Sequence, residues 1–390
     1  MAFKILSWIL FFTKLFTVVP YKVITGYRKL QSTDSSFTHV GRNKIWLRLF
    51  MREATSICDY NTLKYVLNPL FDWICKLVLC VSSVPTTSDR ILLSSSSSSL
   101  DYSNLQSDYY WYYMPPNYIP QRDNTLIFVH GGGFAIKMIP LEFLFLNNLI
   151  SLFPEMAIII HDYTVSTEHG GRLPKQCDEL KELYIYLTTV VGCRNVILLG
   201  ESAGGHVILN LLLQLQEDGL NLPKKVICVS PWCNPFQVPL VDEKGPNERG
   251  NYKKLDSLTK DHLMLFSTLL LKQSIQVEED NMDIARMLSE KSKKNRISMD
   301  LEVDFHEEYW TKIVEQVSIY VSYGTHETLK GEITRLCDKL MKVSNSNGNV
   351  TVFEDHEGSH IEPLLHIGIR DPIKWSHFPN VEPIIEFLED

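Results

Sequence analysis

Two rhythms of apolar and polar positions divide the chain. From about Ser107 onward, short continuous apolar runs rich in β-branched and aromatic residues recur: Leu126–Val129, Ala157–Tyr163, Asn195–Gly200, Lys225–Trp232, Val317–Gly324 and Asn349–Asp355. Runs of this length and composition predict buried strands. Between them, Cys177–Val191, His206–Gln216 and Leu329–Lys342 repeat their apolar residues at helical spacing. Apolar strands alternating with helices predict an α/β fold, a mostly parallel sheet covered on both faces. The aromatic stretch YYWYYMPPNYIP predicts a further strand and turn feeding the Leu126–Val129 strand, and a helical tail closes the chain.

Residues 1–90 follow the helical rhythm alone. In Tyr60–Val81, Leu63, Leu67, Leu70, Phe71, Ile74 and Val78 share one helix face. Earlier, ILSWILFFTKLFTVVP (Ile5–Pro20) is apolar apart from Lys14 and a few hydroxyls, and Lys22, Arg28 and Lys29 follow it. The run is shorter than the roughly 20 residues that span a bilayer, and continuing through Tyr21–Ile24 reaches that length. No small-residue cleavage site follows, so a retained anchor or an interfacial helix is expected rather than a removed signal peptide. An ordinary amphipathic helix packed on the domain is the alternative. The basic residues after the run favour a cytosolic body, whereas the sequon Asn349-Val350-Thr351 is usable only in a lumen. The expected organisation is therefore an anchor or interfacial helix over 1–30, a helical region with a serine-rich loop over 31–106, and an α/β domain over 107–390. A polar, helix-bearing insertion at about 241–310 forms a cap on that domain.

Composition narrows the function classes. The chain has 390 residues, 45% of them hydrophobic, enough for a large core, and its formal charge of −8 argues against a nucleic-acid surface. The eight cysteines contain no C-x-x-C pair, so free, mostly buried thiols are expected and zinc has no support.

Chemistry gathers where strands end. The first strand runs into His130-Gly131-Gly132-Gly133, and the Asn195–Gly200 strand runs into Gly200-Glu201-Ser202-Ala203-Gly204-Gly205 with a helix directly after. The second stretch matches G-x-S-x-G in the strand–turn–helix setting of a nucleophile elbow, with Ser202 as the nucleophile. A serine attacking an acyl carbon creates a negative oxygen that needs preorganised N–H donors. The amides of Gly132, Gly133 and Ala203 can supply them, which accounts for the glycine turn. A phosphate loop is the rival reading, but neither G-x-G-x-x-G nor G-K-[ST] is present. His161, Asp162 and Tyr163 end another strand and are expected to brace the glycine turn.

Serine needs a histidine base and a carboxylate behind it, in the chain order serine, acid, histidine. His360, in the turn after Glu357-Gly358-Ser359, is preferred to His356, which comes directly off the last strand. Glu327, three residues past Gly324, is the expected acid; Glu332 is second because it should already lie on a helix. His326 is read as a supporting or solvent-exposed residue. No metal or organic cofactor is called for.

HGGGF (His130–Phe134), GESAGG (Gly200–Gly205), SPW (Ser230–Trp232), Gly324-x-x-Glu327-x-Leu329 and Glu357-Gly358-x-His360 together resemble the hormone-sensitive-lipase branch of the α/β hydrolases. Within that branch the apolar N-terminus, the polar insertion and the GSHIEP histidine loop look like the fungal steryl acetyl hydrolases. The resemblance implies a serine esterase of the endoplasmic-reticulum membrane that removes acetyl groups from sterols. Most members carry aspartate where this chain has Glu327. Two alternatives stay open: a protein that binds a small ligand on this fold without turnover, and an esterase for other short-chain esters.

Overall fold

The computed structural model describes residues 2–33, 42–81, 108–235, 256–275, 301, 304–344, 348–366 and 371–390. The serine-rich loop and most of the 241–310 insertion lie outside the described residues. Seven strands form one sheet in the order β1-β3-β2-β4-β5-β6-β7: β1 Asp108–Tyr113, β2 Asn124–Val129, β3 Ala157–Asp162, β4 Asn195–Glu201, β5 Lys225–Val229, β6 Ser318–Gly324 and β7 Val350–Asp355. All neighbours are parallel except β1, which runs antiparallel to β3 at the sheet edge. The aromatic strand therefore does not lie beside β2, its successor in sequence. β3 takes the place between them, because a parallel crossover returns the chain to the same edge.

The sheet separates two cores, and period-two alternation divides each strand between them. In β4, Val196 and Leu198 face one core while Ile197 and Leu199 face the other. Such strands read as continuous apolar runs because neither face meets water.

The helices at the N-terminus are α1 Ala2–Thr33, α2 Arg42–Ser56, α3 Tyr60–Thr62 and α4 Asn68–Val81. A wider turn over Leu63–Leu67 joins α3 to α4, so the single helix expected over Tyr60–Val81 is interrupted. In the sheet domain follow α5 Pro140–Leu152, α6 Lys175–Tyr186, α7 Ala203–Glu217 and α8 Lys260–Ile275. The α1 helix is long and apolar enough over Ile5–Lys29 to cross a membrane, by length and composition alone. One ridge of it packs on α2, burying Val19 and Val23 against Ile45 and Leu49. Most of its other large apolar side chains are exposed, Phe16 and Tyr21 among them.

Parallel pairing puts the carboxyl ends of β2, β4, β5 and β6 side by side, about 4.8 Å apart per strand. The glycine turn, Ser202, Ser230 and Glu327 leave the sheet from that one edge, the edge where α/β sheets collect their ligands.

Candidate active site

Ser202 sits between the last residue of β4 and the first of α7 with φ 52° and ψ −118°, a conformation costly for a residue with a Cβ. The turn closes only because its neighbours are small. A Cβ on Gly204 would stand 2.0 Å from the Val129 carbonyl oxygen. Backbone bonds hold the elbow on both sides: the Ser202 N–H donates to Val229 O at 2.9 Å and the Trp232 N–H donates to Ser202 O at 3.0 Å.

The three residues expected to work together meet. Ser202 Oγ lies 2.9 Å from His360 Nε2, and His360 Nδ1 lies 2.6 Å from Glu327 Oε1. A carboxylate can only accept, so Nδ1 carries the proton and Nε2 is left as the acceptor for the serine hydroxyl. His360 is buried, and burial by itself would depress the imidazolium. The charge and hydrogen bond of Glu327 outweigh that, with Asp256 and Glu201 adding, and raise His360 above its ordinary value. The other oxygen of Glu327 accepts from Ser230 Oγ at 2.9 Å and from the Gly324 N–H at 3.1 Å. The longer glutamate arm is thus fixed at both oxygens.

The second choices lie elsewhere. His356 is exposed, and Glu332 accepts from the Cys233 N–H at 3.0 Å from its place on the helix Lys330–Val343. His326 is not solvent-exposed: it is buried, and its N–H donates to Gly358 O at 3.0 Å, beneath the histidine loop.

Gly132 and Gly133 line the same cavity as Ser202. Their φ values of 76° and 59° belong to the left-handed region open to glycine. Ala203 is the first residue of α7, so its N–H is among those a helix start leaves without an intrahelical partner. The turn is held from three directions. Tyr163 Oη donates to Gly131 O at 2.6 Å, with the His130 ring stacked on Tyr163 at 4.2 Å, as the strand-end reading expected. Glu201 Oε1 accepts the Gly131 N–H at 2.6 Å. Asn68, at the start of α4, donates to Ala135 O at 2.9 Å and accepts the Lys137 N–H at 3.1 Å. Glu142 packs behind Glu201; burial first, then the nearby Glu201 carboxyl, push Glu142 well above its ordinary value.

Several residues of this constellation had no signal in the sequence. Asp256, inside the insertion, accepts the His360 N–H at 3.0 Å and the Thr328 N–H at 2.7 Å, tying the acid and histidine loops together. Ser230, noted only as part of SPW, accepts the Ile361 N–H at 3.0 Å while donating to Glu327. Arg48 of α2 and Glu362 form a buried ion pair at 2.9 Å. These pairings join segments from 72 to 314 residues apart, beyond any local pattern.

Above Ser202 opens a cavity of about 390 Å³. Its walls are mostly apolar and include Phe11 of α1, Leu47, Phe50 and Met51 of α2, Phe71 of α4, Leu141 of α5, and Leu263 and Phe266 of α8.

A family model described as steryl acetyl hydrolase matches residues 9–387. The chain belongs to the steryl acetyl hydrolase family. Steryl acetyl hydrolase 1 of Saccharomyces cerevisiae is 29% identical over 396 residues, covering 96% of this chain and 87% of that protein. An esterase of the bacterial hormone-sensitive lipase family shares the fold with TM-score 0.56 and 16% identity, covering 90% of this chain and 98% of its own. A mutant of the esterase E40 matches with TM-score 0.55 and 16% identity, over 89% and 98%. This member of the family is a carboxylic-ester hydrolase on an α/β-hydrolase fold.

Proposed function

We propose that this protein deacetylates sterol acetates, with Ser202 as nucleophile, His360 as base and Glu327 as the acid that orients it. The observation that carries the reading is the hydrogen-bonded line from Ser202 through His360 to Glu327 at the floor of an apolar cavity. Family membership and the name of the yeast relative supply the substrate. The cavity lies in the roughly 300–1,000 Å³ range of small-molecule sites.

In the reaction, Ser202 Oγ bonds to the acetyl carbon as its proton passes to His360 Nε2. The carbonyl oxygen becomes an oxyanion facing the amides of Gly132, Gly133 and Ala203. The carbon–alkoxy bond then breaks and the sterol oxygen takes the proton from His360. Water enters by the same route, giving its proton to His360 and its oxygen to the acetyl group, and acetate leaves with Ser202 restored. Glu327 holds His360 Nδ1 and stabilises the imidazolium each time it forms. Leu263 and Phe266 of α8 make part of the 241–310 segment a cap over the substrate.

The same reading puts the enzyme at a membrane, that of the endoplasmic reticulum. Support for the membrane is the exposed apolar length of α1 beside a cavity suited to a bilayer-dissolved ester; support for the compartment is the family resemblance.

Hydrolysis of a sterol acetate and of p-nitrophenyl acetate, butyrate and octanoate by the wild type and Ser202→Ala in detergent tests this. Acetyl preference is expected, with a loss of roughly 10⁴–10⁶-fold on removing Ser202. Turnover that survives Ser202→Ala would overturn the mechanism. A folded wild type that hydrolyses none of the esters would leave the ligand-binding alternative.

A further inference from the structure

The turn that carries His360 is not self-supporting. Ile361, next to the histidine, holds φ 52° and ψ 33°, a left-handed conformation rare for a β-branched residue. The surrounding structure has to impose it. Two of the groups that do so were described above: Asp256 takes the His360 N–H, and Ser230 takes the Ile361 N–H. The third comes from the other end of the chain. Arg48 Nε donates to Glu362 Oε2 at 3.0 Å, and its Nη2 reaches both that oxygen and the Glu357 carbonyl. The same Glu362 oxygen accepts from Ser359 Oγ at 2.8 Å. Lys44 adds a second cation 3.4 Å from Glu362 Oε1. One guanidinium from α2 thus spans the loop from 357 to 362, with His360 in the middle.

We infer that Arg48 is a positioning residue for His360, which makes the α1–α2 helix pair part of the hydrolytic apparatus as well as an anchor. The inference rests on the reading of His360 as the base. Its geometry favours a positioning role over ordinary packing. Arg48 and Glu362 are 1% and 2% exposed at their side chains, and the planar fork divides its donors between a side chain on one side of His360 and a carbonyl on the other. The connection continues outward. Arg48 lies between Ile45 and Leu49, which pack on Val19 and Val23 of α1, and Lys22 of α1 pairs with Glu53 of α2 at 3.4 Å. A change in how α1 is seated reaches the histidine loop through one rigid helix.

The test uses the full chain in detergent with p-nitrophenyl acetate, a substrate too small to need the outer cavity. Arg48→Ala, Arg48→Lys and Glu362→Gln are compared with wild type for kcat, KM and the pH dependence of kcat/KM, after circular dichroism has established the folded fraction. Loosening the loop weakens the His360–Glu327 bond, so His360 loses part of what raises it. The acid limb of the profile then moves down toward the ordinary histidine value. Per folded molecule, kcat of Arg48→Ala falls roughly 10–100-fold with KM within about threefold of wild type. Lysine recovers part of the loss and added methylguanidinium recovers more. An unchanged kcat and acid limb in folded Arg48→Ala overturns the inference, as does a loss that merely tracks the unfolded fraction. Failure of the underlying reading shows separately, as activity that survives Ser202→Ala.

Discussion

His360 Nε2 has to be neutral to take the serine proton, and its raised value sets the lower edge of the working pH range. Activity is expected to climb through a midpoint above pH ~6.5, the ordinary imidazole value. Glu327→Gln removes the largest source of the upward shift. Its expected result is an acid limb displaced to lower pH together with a kcat loss of roughly 10³–10⁴-fold, read from the pH profile of kcat/KM. The sign for stability is opposite to that for activity. A histidine whose folded value is raised contributes stability fully below its unfolded value and loses it as pH rises through the folded one. Glu362 behaves the other way. Burial pushes it up, but Arg48, then Lys44 and Ser359, outweigh burial and hold it below the ordinary glutamate value. Its contribution is present above the unfolded value and lost as pH falls through the folded one. Glu362→Gln should therefore flatten the acid limb of thermal stability below pH ~4.3, measured as Tm against pH. At neutral pH the same variant leaves Arg48 buried without a countercharge, a loss of about 3–5 kcal/mol.

Among the elements, the glycine turn and the elbow show how far a motif reaches. Both were legible because each needs its residue type at the backbone: φ 59° at Gly133, and an approach to Gly204 that no side chain allows. What the motif left out is the lid on the turn. A Cβ on Gly133 would meet the Phe266 ring at 2.3 Å, and Phe266 comes from α8, in the insertion whose residues carried no recognisable pattern. Gly133→Ala is expected to displace either the turn or the ring, with kcat falling roughly 10²–10³-fold while KM changes little. A crystal structure of the variant would show which of the two moved. The strands were legible for a different reason. Buried on both faces, they have to be apolar throughout, and their lengths follow from that. Their order was not legible: β1 leads into β2 in sequence yet pairs with β3, because nothing in a strand's own residues names its partner. The wide turn at Leu63–Leu67 was hidden likewise, since its residues keep the apolar spacing of a helix.

On the scale of the molecule, the N-terminal helices combine an exposed apolar surface with contacts to the site. Of the 19 exposed large apolar side chains among the described residues, 12 lie between Ile5 and Leu77, a concentration that water does not favour and a membrane does. The same helices supply Phe11, Phe50 and Phe71 to the cavity and Asn68 and Arg48 to the catalytic loops. Deleting residues 2–24 removes Val19 and Val23, each worth about 1.5–3 kcal/mol of burial against α2. The expected outcome is loss of co-sedimentation with membranes and, in detergent, a lowered kcat on soluble p-nitrophenyl acetate. A simple tether would cost only the first.

The sequence by itself determined the class of sheet, the nucleophile elbow, the glycine turn and the three residues that meet at Ser202, because each rests on a local demand. A strand must be apolar to be buried, a left-handed turn favours glycine, and a triad must follow its strands in order. Tertiary structure alone decided which side chains hold that machinery still. Arg48, Asp256 and Ser230 act across distances in the chain that no periodicity encodes, and an arginine on a helix looks the same in sequence whether it faces water or a buried carboxylate. It likewise decided the cavity, whose walls come from helices far apart in the chain, α1 and α8 among them.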